Sequence, residues 1–298
     1  SVKKLEEGWC DFTDFSVDIS PNCEHIKYSD ENRNIIIGKS DINSDKFDVI
    51  VYANKSIEKA TIPCYVKRIN SYVFRDCKKL QNVEFSENSQ LKVIGKRTFE
   101  SAPIQRIIIP KSVEEIGKSS FSLCRMLKEV ILENGSKLTS ISDNLFFFTS
   151  LTKFEIPKDS ELRMICDNPF FFCKIDELYI PSKFESFHEN WCYTNLNIKL
   201  IVSADNKNFK YADKEHKLLI GKSDLNSENF DVVVFADRSI TNVKIPSTIK
   251  YISSYAFADC TQLGSIDIPN DSQIVSFGKE SFFYCSIKKL FIPANFES

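Results

Sequence analysis

Apolar residues fall into short alternating clusters that return at a fixed interval, separated by polar segments. The clusters read Leu80, Val83, Phe85; Ile104, Ile107, Ile109; Leu127, Val130, Leu132; and Leu151, Phe154, Ile156. Further copies are Ile175, Leu178, Ile180; Leu263, Ile266, Ile268; and Ile287, Leu290, Ile292. Period-2 alternation sends such residues to one side of a strand and their neighbours to the other. A proline closes many clusters, because it lacks the N–H that an adjacent strand would need. Pro246 and Pro269 stand 23 apart, Pro157 and Pro181 stand 24 apart, and Pro63, Pro110 and Pro157 follow at 47, or two units. An interval of this length, held over many copies, marks a solenoid.

After each proline come two apolar anchors, such as Val66 with Ile69 or Val113 with Ile116, and then an aromatic corner. The corner holds Phe74, Phe99, Phe121, Phe146, Phe170, Phe257 and Phe282. Coils stacked at the sheet spacing of about 4.8 Å would bring these rings into one continuous internal column. Such a column absorbs much of an unusual stock of 25 Phe.

Two stretches break the interval, 19–61 and 201–244, and they match each other at an offset of 183. YSDENRNIIIGKSDINSDKFDVIVYANKSI at 28–57 answers YADKEHKLLIGKSDLNSENFDVVVFADRSI at 211–240. In each, IIIG with VIVY, or LLIG with VVVF, predicts two strands joined by a polar turn, expected to pack on the array as an island. The predicted organisation is one continuous solenoid: a partial repeat over 1–18, an insert over 19–61, repeats over 62–200, a second insert over 201–244 and repeats over 245–298. KLEEGWC at the start resembles SFHENWC at 186–192, and IPANFES at the end resembles IPSKFES at 180–186. Both ends are therefore expected to lie inside repeats of a longer array.

The unit, read on IPSTIKYISSYAFADCTQLGSIDIP and IPKSVEEIGKSSFSLCRMLKEVILE, resembles the treponemal-type leucine-rich repeat of the BspA-like family. The resemblance covers about 62–200 and 245–298. It implies a mostly β member of the α/β-horseshoe class, a right-handed leucine-rich-repeat solenoid of 23–24-residue repeats interrupted by two β-hairpin inserts. It further implies a non-enzymatic surface protein with a role in adhesion. The expected partners are then extracellular matrix, host-cell or microbial surface proteins.

Composition narrows the chemistry. Lys+Arg number 39 against 41 Asp+Glu, a net charge of -2, which argues against nucleic acid as a partner. No apolar run is long enough to insert in a membrane. The three His show no nucleophile or metal spacing, so no catalytic residue, metal ligand or cofactor is assigned. Asp41-Ile42-Asn43-Ser44-Asp45 opens like a calcium loop but lacks the sixth-position Gly and the closing Glu, which favours a solvated turn. Of the ten Cys, Cys77, Cys124, Cys173, Cys260 and Cys285 share one repeat slot. Ala102 and Thr149 fill the same slot elsewhere, so buried free thiols are expected, with a Cys260–Cys285 bridge left open.

Function is then sought at the outward position of each strand, which reads Glu84, Ile108, Ile131, Glu155, Tyr179, Lys199, Asp267 and Phe291. Ile108, Ile131, Tyr179 and Phe291 are apolar where a solvated concave sheet should be polar. Asn82, Arg106, Glu129, Lys153, Glu177 and Lys289 form the next row and supply a polar rim. The expected function is protein binding at the cell surface through this face. The alternatives are a structural spacer and an intracellular interaction scaffold.

Overall fold

The computed structural model describes residues 5, 8–9, 17–193 and 197–292. It is a mostly β solenoid of about 10 turns, and no helix occurs among the described residues. Most coils contribute one strand of three or four residues to a front sheet and a two-residue strand to a return-side sheet. In the front sheet Lys59–Ile62 pairs with Asn82–Phe85, Arg106–Ile109 with Glu129–Leu132, which also pairs with Lys153–Glu155, and Glu177–Ile180 with Lys199–Val202. Asn82–Phe85 lies beside Arg106–Ile109 and Lys153–Glu155 beside Glu177–Ile180, so seven strands follow one another. All of these pairs are parallel, which suits strands that all run the same way round the coil. Between coils, partner residues stand 22 to 25 positions apart, from Glu177 opposite Lys199 to Arg68 opposite Val93, and 19 apart where an insert strand meets the next coil, as with Val49 and Arg68.

Side-chain alternation does the packing. Val83, Ile107, Val130, Phe154, Leu178 and Leu200 all point inward and are buried, while the residues on either side of them point out. The corner rings stack: Phe74 on Phe99 at 5.2 Å, Phe99 on Phe121 at 5.3 Å, Phe121 on Phe146 at 5.8 Å and Phe146 on Phe170 at 5.9 Å between centroids. The column is not continuous through the chain. After Phe170 the corner passes to Trp191, which packs on Phe187 and Phe235 instead, and stacking resumes between Phe257 and Phe282.

The inserts are not islands. Ile35–Gly38 pairs antiparallel with both Ile26–Tyr28 and Val49–Ala53, and Val49–Ala53 then pairs parallel with Arg68–Ile69 of the next coil. In the second copy, Leu218–Gly221 pairs with Phe209–Tyr211 and Val232–Ala236, and the latter pairs with Tyr251–Ile252. Each insert therefore extends the return-side sheet in line. A buried carboxylate pins each one. Asp48 accepts hydrogen bonds from the Ser40 N–H at 3.0 Å and the Ser40 hydroxyl at 2.9 Å, with Lys67 Nζ at 3.4 Å. Asp231 repeats the pattern with Ser223 at 2.9 and 2.8 Å and Lys250 at 4.0 Å.

The turn Asp41–Asp45 is closed by its own backbone. The Asp41 carboxylate accepts the Asn43 N–H at 2.9 Å, and Asp224 does the same with Asn226. The repeat-slot thiols are free, Cys260 and Cys285 included. Four are buried, and Cys124 and Cys173 donate to the Phe99 and Phe146 carbonyls of the preceding coil at 3.0 and 3.1 Å.

Candidate functional site

The outward face of the front sheet is set by strand register. Parallel pairing places Thr61 beside Glu84, Ile108 beside Ile131, Ile131 beside Glu155 and Tyr179 beside Ile201. The outward row therefore runs Thr61, Glu84, Ile108, Ile131, Glu155, Tyr179, Ile201. Lys199 does not belong to it: it pairs with Glu177 and lies in the rim row, because that coil is only 22 residues long. The row has an apolar member that alternation counted from the previous prolines misplaced, Ile201. Ile108 is 39% exposed and Ile201 38%, with Ile131 and Tyr179 half-buried. A shallow groove of about 800 Å³ lies here, lined by Ile131, Lys153, Glu155, Tyr179 and Ile201 among others.

Phe291 stands apart from this row. The segment 287–292 carries the strand pattern, and Ile287 and Leu290 pack on the core, but no strand forms there. Lys289 consequently joins no rim. Asp267 sits on a separate two-stranded pair, opposite Lys244.

The rim is a ladder of alternating charge. Arg106 Nε lies 2.5 Å from Glu129, Lys153 Nζ 2.9 Å from Glu129 and 2.5 Å from Glu155, and Lys199 Nζ 3.5 Å from Glu177. Hydrogen bonds from Lys153 and Arg106 hold the Glu129 carboxyl below the usual glutamate range. Glu84 is likewise engaged by Lys59 at 2.8 Å. Cross-strand pairs of opposite charge support the sheet modestly. They also leave the face nearly neutral, so its apolar members are what distinguish it from ordinary surface.

A second apolar surface escaped sequence reasoning. Beside the buried corner ring of two coils lie two further phenylalanines, in the runs Phe146-Phe147-Phe148 and Phe170-Phe171-Phe172. Phe147 stacks on Phe171 at 5.0 Å, Phe148 packs on Phe172 at 4.3 Å, and Tyr193 continues the row from Phe171 at 5.8 Å. Phe148 and Phe172 are exposed and hold left-handed φ of 55° and 59°, a conformation disfavoured for bulky side chains. The paired FFF runs were the available signal.

Stacking also gathers ligand-type side chains that are remote in sequence. One donor atom each from Asp143, Cys166 and His188 falls within 4.8 Å of the others. Burial, then the Asp143 and Asp167 carboxylates, raise the Cys166 thiol above its ordinary range.

Parallel coils, short strands on two faces and outward variation on one face define a leucine-rich-repeat scaffold. The chain belongs to the BspA type leucine rich repeat region, which matches in 6 copies over residues 46–163, 136–213 and 228–298. Solved structures share the fold. A leucine rich cell surface protein of Faecalibacterium prausnitzii superposes with a TM-score of 0.59 and 24% identity, over 80% of this chain and 68% of that one. A leucine-rich repeat protein of Eubacterium ventriosum gives 0.59 and 19% over 84% and 61%. The pneumococcal vaccine antigen PcpA gives 0.56 and 19% over 85% and 58%. The chain thus spans about three fifths of the length of the latter two. None of the curated proteins matches its sequence. Among the described residues, no helix is long and apolar enough to cross a membrane.

Proposed function

We propose that the protein is a non-enzymatic binding scaffold of the cell surface, adhesin-like, that takes a protein partner on its concave sheet. The observation that carries this reading is the outward row Ile108, Ile131, Tyr179 and Ile201 on a sheet whose charges are already paired with one another. The inserts leave this row open, because they extend the return-side sheet. Arg106, Glu129, Lys153, Glu155, Glu177 and Glu84 form the polar margin. On a partner, an apolar centre within such a margin supplies the energy while the margin sets register. The surface location rests on the descriptions of the structural relatives as a cell surface protein and a vaccine antigen.

The test is attachment of the full chain to cultured epithelial cells and to immobilised extracellular-matrix extract. Ile131→Lys combined with Tyr179→Ala should reduce attachment at least tenfold while leaving thermal unfolding within a few degrees of the parent. Unchanged attachment by the folded double variant would overturn the concave-face assignment. Absence of attachment by the parent chain would favour the spacer reading instead.

A further inference from the structure

At each return strand the chain leaves the sheet through a single residue. In three coils that residue is Gly95, Gly117 or Gly278, and it has to be small. A Cβ there would lie 2.4, 2.6 and 2.3 Å from the backbone nitrogens of Ser71, Lys96 and Ser254. In three successive coils the same position instead carries Ser142, Cys166 and His188. The following position changes with it. It is Lys96, Lys118 and Lys279 beside the glycines and Asp143, Asp167 and Glu189 in these three coils, while Asn70 and Ser253, at the same position elsewhere, are followed by Ser71 and Ser254. One stretch of this corner has therefore exchanged glycine and positive charge for a thiol, an imidazole and carboxylates.

These groups converge. Donor atoms of Asp143, Cys166 and His188 lie within 4.8 Å of one another, and Met164 Sδ is 3.0 Å from His188 Nε2. The chain has only 3 His and 2 Met, so one of each meeting a thiol is a concentrated use of scarce residues. The Asp143 carboxylate lies within this cluster and accepts the Asp167 main-chain N–H at 3.3 Å, which turns it toward the Cys166 coil. Tetrahedral zinc bonds of about 2.0 Å to nitrogen or oxygen and 2.3 Å to sulfur place neighbouring donors about 3.5 Å apart. Side chains half-buried or exposed at a corner can close the remaining gap without moving the backbone. Thiol and imidazole donors suit zinc and its neighbours and not calcium or magnesium.

We propose that Asp143, Cys166 and His188 form a binding site for a divalent cation of the zinc class, with a fourth position open to solvent. A lysine engages this cluster from its edge. Lys118 Nζ lies 2.6 Å from Asp143 Oδ2, and Asp143 Oδ1 accepts the Asp167 N–H at 3.3 Å. Lys118 is largely exposed, so its ammonium can swing into water when the metal takes Oδ2. This competition gives the proposal a signature that a simple surface cluster would lack. Removing Lys118 should tighten metal binding.

The experiment titrates the full chain, purified without a histidine tag and with its thiols reduced, with Co²⁺, and then displaces the cobalt with Zn²⁺. The expected result is one equivalent of cobalt with a thiolate-to-cobalt charge-transfer band that zinc abolishes. Cys166→Ser should lose the band, His188→Ala should weaken binding at least tenfold, and Lys118→Ala should strengthen it several-fold. Circular dichroism should match the parent in each case. Serine is a safe replacement, since Ser142 fills the same place one coil earlier. No charge-transfer band in the parent, or a band that survives in Cys166→Ser, would overturn the proposal.

Discussion

Phe99 stacks on Phe121 with ring centroids 5.3 Å apart and planes 11° from parallel, and both side chains are fully buried. Phe99, Phe121 and Phe146 are each packed between the corner rings of two neighbouring coils, so removal of any one is felt on both sides. Phe99→Ala is expected to lower stability by about 3–5 kcal/mol. Phe282→Ala, at a half-buried ring with one stacked neighbour among the described residues, should cost roughly half as much. Urea unfolding followed by far-ultraviolet circular dichroism measures the difference.

The insert clamp predicts a pH dependence. Burial alone would raise the Asp48 carboxyl, but the Ser40 main-chain and hydroxyl hydrogen bonds and Lys67 outweigh it and hold Asp48 below the usual range. A carboxylate more acidic in the folded than in the unfolded chain stabilises fully above the unfolded value of about 3.9. That contribution fades as the pH falls through the lower folded value. Asp48→Asn should therefore cost about 1.5–3 kcal/mol at pH 7 and progressively less as the pH falls below about 3.9. Unfolding midpoints of the pair across this range test the sign as well as the size.

Burial makes Cys124, Cys173 and Cys260 inert. It pushes Cys124 up to about 12 and Cys173 and Cys260 to about 11. A brief exposure of the folded protein to iodoacetamide at pH 8 should leave these three unlabelled. Half-buried Cys23, Cys64 and Cys285 should be labelled before them. Peptide mapping by mass spectrometry reads the order directly, and labelling of Cys124 before unfolding would contradict the packing described above.

Glycine at the corner is a steric requirement in some coils. Gly117→Ala places a Cβ 2.6 Å from the Lys96 backbone nitrogen, whereas Gly264→Ala meets nothing nearer than the Thr241 carbonyl at 3.7 Å. The first substitution is expected to cost about 1–3 kcal/mol by overpacking, and the second to be neutral or slightly stabilising. Melting temperatures of the two variants separate these outcomes.

The inward half of the molecule was readable because burial imposes the same residue types on every coil. Ile107, Val130 and Leu178 announce themselves by alternation, and the matching inserts by their 183-residue offset. The outward half obeys no such constraint. Lys199 was placed in the row that Ile201 occupies because one coil is a residue or two shorter, and a residue count carries no hydrogen bonds with which to correct itself. Phe147, Phe148, Phe171 and Phe172 were counted only as aromatic stock, since a left-handed corner turns side chains in a direction that strand periodicity does not describe. Asp143, Cys166 and His188 are separated by more than twenty residues each. Only the stacking of coils makes them neighbours.

The inserts have a consequence for how the array grows and breaks. Val49–Ala53 is antiparallel to its predecessor in the sheet and parallel to its successor, so it works as a reversing joint between two kinds of hydrogen-bond ladder. A parallel stack lengthened one coil at a time offers any coil as a point of slippage, because each looks like the next. A joint that fits only one neighbour on each side fixes the count between successive joints. The same joint recurs at Val232–Ala236, 183 residues on and again ahead of a parallel coil, so each run of coils starts from a strand whose register is fixed on both sides.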